Sequence, residues 1–182
     1  ADHTFFKTAC MNLNNMPALR YVEFQGITFA PLAGVPVANG LYVDWNPTVL
    51  DWELNLTDVT FQPTTSELRG FFLDLSMSGM VSLTKIRGYE TSFSLIYAKS
   101  SDSTVLDIQA TDVLFDHSSA EGALAYIDNV PRVMVTMNGL SDTHHSITAS
   151  GGVLYIAHAE WVQIDVSDAV ISNTLAPNFY IY

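Results

Sequence analysis

Ala125-Tyr126-Ile127 and Leu154-Tyr155-Ile156 decide the fold, because this apolar-aromatic-apolar triplet returns at regular intervals along the chain. It occurs six times, at spacings of 25 to 30 residues. The six central residues are Tyr42, Phe72, Tyr97, Tyr126, Tyr155 and Tyr180. A repeat of this length with strand-like composition predicts a solenoid, in which each repeat buries its apolar face against its neighbours.

A second series of residues follows the same period. Strand-like segments end in Gly or Asp, which in most repeats is followed by an apolar residue. These turn positions are Gly26, Asp58, Gly88, Asp112, Gly139 and Asp168, at spacings of 32, 30, 24, 27 and 29 residues. Stacked strands have to keep their register, whereas the turns between them can vary in length. Two series with one period therefore predict stacked strands joined by unequal turns.

Each repeat contains the pattern of three short strands. Leu106, Ile108 and Ala110 alternate with polar residues, so one face of that segment is apolar. The alternation restarts at Val113, which predicts a bend, and the aromatic triplet forms the third strand. Repeats of this kind resemble the right-handed parallel β-helix, the pectin-lyase-like superfamily. We therefore expect an all-β solenoid of about six coils over residues 19–182, with residues 1–18 as an N-terminal cap or assembly segment.

Glycine-led segments refine the resemblance. Residues 122–127 and 151–156 resemble the glycine-led strands of bacterial surface proteins and passenger domains, which implies a non-catalytic surface protein. An antiparallel β-sandwich remains the alternative fold, since short strands also permit it. Lys85, Ile86 and Arg87 interrupt the alternation in the third coil, so we expect a local kink or a narrowed cross-section there.

Composition limits the class of partner. The chain has 182 residues, enough for one domain, with 7 Lys and Arg against 19 Asp and Glu and a formal charge of -12. This charge argues against nucleic acid and anionic membranes as partners. No apolar run approaches the roughly 18 residues that cross a bilayer, so no membrane insertion is expected. Cys10 is the only cysteine, which excludes an intrachain disulfide.

The aromatic column is the largest candidate surface. Equivalent residues in successive coils lie about 4.8 Å apart in a parallel solenoid, so the six aromatic residues are expected to form an outward column. Three roles remain open: ring stacking that stabilises the solenoid, a protein interface, or a platform on which rings stack against sugars. The last role makes carbohydrate a possible partner.

Smaller candidate sites involve histidine and asparagine. His117 and His144 fall at equivalent positions of adjacent coils, a weak metal candidate, although polar turn residues explain them as well. No metal and no other cofactor is predicted. Asn55 begins the sequon Asn55-Leu56-Thr57, a possible glycosylation site.

The search for catalytic residues favours a structural protein. The sequence lacks the motifs of polygalacturonases, pectin esterases and lyases, and its arginines are scattered over different coils. The sequence ends inside a strand-like segment at Phe179, Tyr180, Ile181 and Tyr182. Either a neighbouring copy completes this coil, since an uncovered end invites association, or further chain in the native protein does so. With Phe5 and Phe6 these residues form the expected assembly interface. We expect an extracellular or cell-surface rod that stacks head-to-tail with copies of itself; a carbohydrate-binding adhesin module and a polysaccharide-acting enzyme are the alternatives.

Overall fold

The computed structural model describes residues 11–13, 16, 18–29, 41–62, 69–89, 94–100, 104–117, 123–143, 152–172 and 179–182. These residues form strands and turns, with no helix among them. In chain order the strands are β1 (Met11–Asn12), β2 (Tyr21–Gln25), β3 (Thr28–Phe29), β4 (Leu41–Trp45), β5 (Trp52–Phe61), β6 (Arg69–Leu75), β7 (Gly79–Tyr89), β8 (Ile96–Ser100), β9 (Val105–Asp116), β10 (Ala125–Asp128), β11 (Arg132–Thr143), β12 (Leu154–Ala157), β13 (Trp161–Ser167), β14 (Val170–Ser172) and β15 (Phe179–Ile181).

The strands stack into a parallel β-solenoid, as the repeat predicts. One sheet runs in the order β1-β4-β6-β8-β10-β12-β15, and the other in the order β13-β11-β9-β7-β5-β2, with β14 beside β11 and β3 beside β5. Every described ladder is parallel. The β-sandwich alternative is therefore wrong, because it is built from antiparallel strands. Strand β1 lies within the segment that the sequence analysis set outside the repeat, and it extends the first sheet beside β4.

The long strands of the second sheet bend at one left-handed residue. These corner residues are Gly26, Asp58, Lys85, Asp112, Gly139 and Asp168, all with φ between 51° and 72°. Glycine adopts this conformation without strain, and Asp tolerates it better than most other residues do. The bend divides each long strand into two sides, so a full turn has three strand segments.

The third corner corrects the sequence analysis. Lys85, with φ of 56°, occupies the position assigned to Gly88. Leu83 and Ile86 flank it, and both are buried because the left-handed residue turns the chain between them. Gly88 is instead a buried position that pairs with Phe61 and Phe115 in the neighbouring strands. The expected kink is also wrong, since β7 pairs in register with β5 and β9 on both sides of the corner.

Inward-facing side chains fill the solenoid. Near the N-terminal end the core is largely aromatic, and Trp45 and Trp52 are fully buried in T-shaped contact at 5.3 Å. Gly79 makes room for Trp52, because a Cβ at this position would lie 2.3 Å from the Trp52 ring. Further along, the core is mostly aliphatic. Each buried Leu or Ile contributes roughly 1.5–3 kcal/mol to stability.

Candidate functional site

Five aromatic rings stack on the outer face of the first sheet. Strand pairing sets Phe72, Tyr97, Tyr126, Tyr155 and Tyr180 side by side on successive strands. The ring centroids are 5.4, 5.0, 4.4 and 5.0 Å apart along this order. Adjacent tyrosine rings are nearly parallel, with interplanar angles of 3°, 8° and 14°. We call these five residues the aromatic column.

Tyr42 is not in line with this column. Strand β4 pairs Asp44 with Phe72, and the ring of Tyr42 lies outside the described residues. The register follows from the core, because β4 buries Val43 and Trp45 and so directs Asp44 to the other face of the strand. The predicted place of Tyr42 beside Phe72 is therefore wrong, because Asp44, two residues later, occupies it.

Stacking leaves mainly the edges of the tyrosine rings accessible. A ring with neighbours at 4.4 and 5.0 Å on either side has both faces covered, as at Tyr126. Burial raises the pKa of Tyr126 to about 12, and the neighbouring Tyr155 and Tyr97 hydroxyls contribute to the same rise. Sugars stack on exposed ring faces, so the middle of the aromatic column offers no surface of that kind.

The C-terminal end of the solenoid exposes apolar side chains. Among the described residues, β13 pairs on one edge only, with β11. The inward-facing residues Val162 and Ile164 of β13 are partly exposed, and Val166 is 40% exposed. Their counterparts Val133, Val135 and Met137 in β11 are buried. The last described rung therefore presents the core of the solenoid to solvent.

The N-terminal end differs. Strand β2 is the last described strand of the second sheet on that side, yet its inward-facing Val22 and Phe24 are only 9% and 7% exposed. Leu13 belongs to the same buried cluster, and Phe24 packs edge-on against Phe71 at 5.4 Å. The inward-facing residues of β2 are thus much better buried than those of β13.

A shallow groove crosses the outer face of the second sheet. One depression of about 310 Å³ is lined by Asp51, Glu53, Ser78, Met80, Val105 and Asp107, with Trp52 and Gly79 at its base. A second, of about 180 Å³, is lined by Val105, Arg132, Met134 and Trp161. The two depressions meet at Val105, and Trp161 is 43% exposed. The Arg132 guanidinium lies 6.0 Å from the centre of the Trp161 ring.

This groove was not predicted from the sequence. Val105, Arg132 and Trp161 pair on successive strands, so three residues of different character become neighbours. Each lies seven residues before a corner residue. The corners Asp112, Gly139 and Asp168 were predicted correctly, so this alignment could be derived from the sequence, but three different residue types form no recurring pattern that marks it.

The structure describes two of the smaller candidate residues, His117 and Asn55. His117 is exposed, with Nδ1 2.9 Å from Asp116 Oδ1, and His144 lies outside the described residues. In the described part of the chain, no three His, Cys, Asp or Glu side chains are grouped to hold a metal ion. Asn55 lies mid-strand in β5 between Glu23 and Ser82, partly exposed.

Of the proposed assembly residues, Phe179, Tyr180, Ile181 and Tyr182 lie at the C-terminal end, whereas Phe5 and Phe6 lie outside the described residues. The backbone of Tyr182 is held by hydrogen bonds, since its N–H donates to Ile156 and its carbonyl accepts from His158. No helix in the described ranges is long and apolar enough to cross a membrane.

Comparison with known protein families, curated proteins and solved structures finds no match to this chain.

Proposed function

We propose that this chain is a non-enzymatic structural rod that associates with another chain through the C-terminal end of its solenoid. The observation that carries the proposal is the exposed core of the last rung, where Val162, Ile164 and Val166 face solvent. Exposed strand edges with apolar side chains are sites of association, and main-chain pairing there adds strength.

The expected head-to-tail filament is one form of such a contact. It requires the C-terminal end of one copy to accept the N-terminal end of the next, where Val22 and Phe24 are already buried. The C-terminal end is the better supported half of that contact. The finer proposals of a right-handed, pectin-lyase-like coil and an extracellular or cell-surface location rest on the resemblance of the repeats and on the Asn55 sequon.

A charge on the exposed edge tests the proposal. Val166→Lys places a cation among the apolar residues of the last rung, and edge lysines oppose strand pairing. We expect self-association, measured by light scattering and electron microscopy over a concentration series, to weaken by about tenfold or more.

Thr111→Lys is the matched control, because Thr111 is exposed on the outer face of β9, two strands away from β13. Both substitutions reduce the net negative charge equally, so a difference between them reports on position. A chain that is monomeric at every concentration, or equal association of both variants, contradicts the proposal.

Carbohydrate binding is the second candidate, and the groove rather than the aromatic column supports it. Trp161 is an exposed aromatic residue, and Glu53, Asp107 and Arg132 supply hydrogen-bonding groups along the same line. Successive strands lie about 4.8 Å apart, close to the rise of one sugar in an extended β-1,4-linked chain. Polysaccharide cleavage would need a catalytic pair across coils, and no geometry in the described residues singles one out.

Tryptophan fluorescence separates this candidate from the first. Trp45 and Trp52 are fully buried, so a change in emission on adding a neutral β-1,4-linked hexasaccharide reports mainly on Trp161. Binding that is lost in Trp161→Ala but kept in Val166→Lys would establish a sugar site independent of the end contact. No change in emission at millimolar sugar would exclude it.

A further inference from the structure

We propose that the partner at the C-terminal end is a second copy of this chain, joined tail-to-tail with β13 antiparallel to its counterpart. The inference rests on the proposed function, and it specifies the partner and the geometry. It follows from the order of residues in β13: Val162-Gln163-Ile164-Asp165-Val166 alternates inward apolar with outward polar side chains, symmetrically about Ile164.

Antiparallel pairing makes this strand complementary to itself. Directly opposed residues of an antiparallel pair point to the same face of the sheet. A two-fold axis perpendicular to the sheet at Ile164 therefore sets Ile164 opposite itself and Val162 opposite the Val166 of the other copy. The apolar residues exposed on each end then cover one another. Such an isologous contact closes after two copies.

The outward residues are also complementary in this register. Gln163 of each copy lies opposite Asp165 of the other, so an amide donor faces a carboxylate acceptor twice. The same two groups already interact within one chain, where Gln163 Nε2 donates to Asp165 Oδ2 at 2.7 Å. An axis moved to Asp165 would instead oppose two carboxylates, and like charges directly opposite destabilise a strand pair.

Head-to-tail stacking lacks this complementarity. If the ladder register continued from β13 into β2 of another copy, the corner residues Asp168 and Gly26 would align. Asp165 and Glu23 each lie three residues before those corners, so two carboxylates would be adjacent on the outer face. The inward residues would meet Val22 and Phe24, which are already buried. Charge and burial both favour the tail-to-tail contact.

The sides adjoining β13 support the same contact. Because the axis passes through the middle of one of three sides, it brings the β14 side of one copy over the β15 side of the other. The inward-facing residues Ile171 of β14 and Ile181 of β15 are partly exposed and 55% exposed, respectively. Both therefore gain apolar neighbours in the dimer.

Gln163→Asp tests the pairing by changing the charge of one outward-facing side chain of β13. It places a new carboxylate opposite Asp165 of the other copy in two symmetric contacts, and we expect the dimer dissociation constant to rise by about tenfold. Sedimentation equilibrium of the full chain, at moderate salt because of its net charge, measures this constant. The double variant Gln163→Asp with Asp165→Gln exchanges the two groups and restores complementarity, so wild-type affinity should return.

Gln109→Asp is the matched control. Gln109 donates to Asp107 at 3.0 Å on β9, so the substitution creates the same pair of carboxylates in the body of the rod. It should leave dimerisation unchanged, and thermal melting of both variants checks that the fold is retained.

The outcomes separate this inference from the proposed function. A dimer weakened by Gln163→Asp and rescued by the double variant supports it. Two results would overturn the tail-to-tail pairing: open-ended polymers whose association is strengthened by Asp165→Asn, or a dimer whose dissociation constant is unchanged by Gln163→Asp. In either case the proposed end contact is still supported if Val166→Lys weakens association. A monomer at every concentration overturns both, and would mean that further chain or a different protein covers this end.

Discussion

Two groups of aromatic residues lie on opposite sides of the solenoid wall. Toward the N-terminal end most inner rings are tilted, since Phe24 meets Phe71 at 65° and Trp45 meets Trp52 at 75°. Phe29 and Phe61, which pair in register, are the exception and stack at 6°. Toward the C-terminal end the tyrosine rings are outside and nearly parallel, as between Tyr97 and Tyr126 at 3°. The same class of side chain thus adopts two geometries in one repeating backbone.

Strand spacing explains the difference. On the outside, identical residues on parallel strands are separated by about 4.8 Å, which is close to a comfortable stacking distance, so the backbone itself aligns the rings. On the inside, the rings must fill the cross-section without voids, and edge-to-face contacts pack it better. The outer stack joins residues paired in register, as does the inner pair of Phe29 and Phe61, whereas the tilted inner contacts join residues that are not paired in register.

The two ends of the solenoid also differ in how well their apolar side chains are buried. Large inner rings help to close the N-terminal end, where Phe24 packs against both Phe29 and Phe71. The C-terminal end has only Val162, Ile164 and Val166 on the inward face of β13, with no described strand beyond them. The open end is where the rod can still gain stability by burying apolar surface.

The largest expected effect contrasts two adjacent phenylalanines. Phe71 points inward and is fully buried, whereas Phe72 points outward into the aromatic column. Phe71→Ala should lower the free energy of unfolding by about 3–5 kcal/mol, because it removes buried surface and leaves a cavity. Phe72→Ala should cost only about 1 kcal/mol, since it loses one ring contact and the nearby Lys99.

Denaturant unfolding with an unchanged m-value measures both numbers. The two variants control for each other, because they remove the same side chain from neighbouring positions on one strand. Equal losses would mean that the outer rings belong to the core, and the contrast between the two sides of the wall would fail.

A smaller effect compares the middle of the aromatic column with its end. Tyr126 stacks on two tyrosines and Tyr180 on one. At roughly 0.5–1.5 kcal/mol for each ring pair, Tyr126→Ala should cost about twice as much stability as Tyr180→Ala. Thermal and denaturant unfolding of the two variants test this ratio. A larger loss at Tyr180 would show that the end of the column makes contacts beyond stacking, such as those of an assembled end.

Much of the fold could be predicted from the sequence, because the structural repeat of a solenoid requires a sequence repeat of the same period. The alternation around Leu106 and Ile108, and the recurring triplets at Tyr126 and Tyr155, sufficed to predict stacked parallel strands. The corner at Lys85 was missed because lysine carries no turn signal. Its left-handed φ is imposed by the corners at Asp58 and Asp112 in the strands beside it.

The candidate surfaces were harder to predict. Two overlapping triplets of β4 could pair with β6 at Phe72, namely Leu41-Tyr42-Val43 and Val43-Asp44-Trp45. Burial of Trp45 selects the second register. The groove depends on which residues of different strands become neighbours, and Val105, Arg132 and Trp161 share no residue type that would mark it in the sequence. The alternation of apolar and polar residues in β13 was visible in the sequence. The exposure of its apolar residues is seen only once the strand is placed at the end of the stack.

The smallest effect is a pH dependence confined to the outer rings, because Phe and Trp inside the wall do not titrate. Burial, with help from Tyr155 and Tyr97, raises the pKa of Tyr126 to about 12 from the ordinary 10.0. The unfolded chain therefore ionises first, and the stabilisation from the neutral hydroxyl is complete below pH 10 and lost between pH 10 and about 12. Tyr126→Phe should make the free energy of unfolding fall less steeply across this interval, with Tyr21→Phe as the control for a hydroxyl outside the column. Parallel curves for wild type and Tyr126→Phe would show that stacking does not hold this hydroxyl neutral.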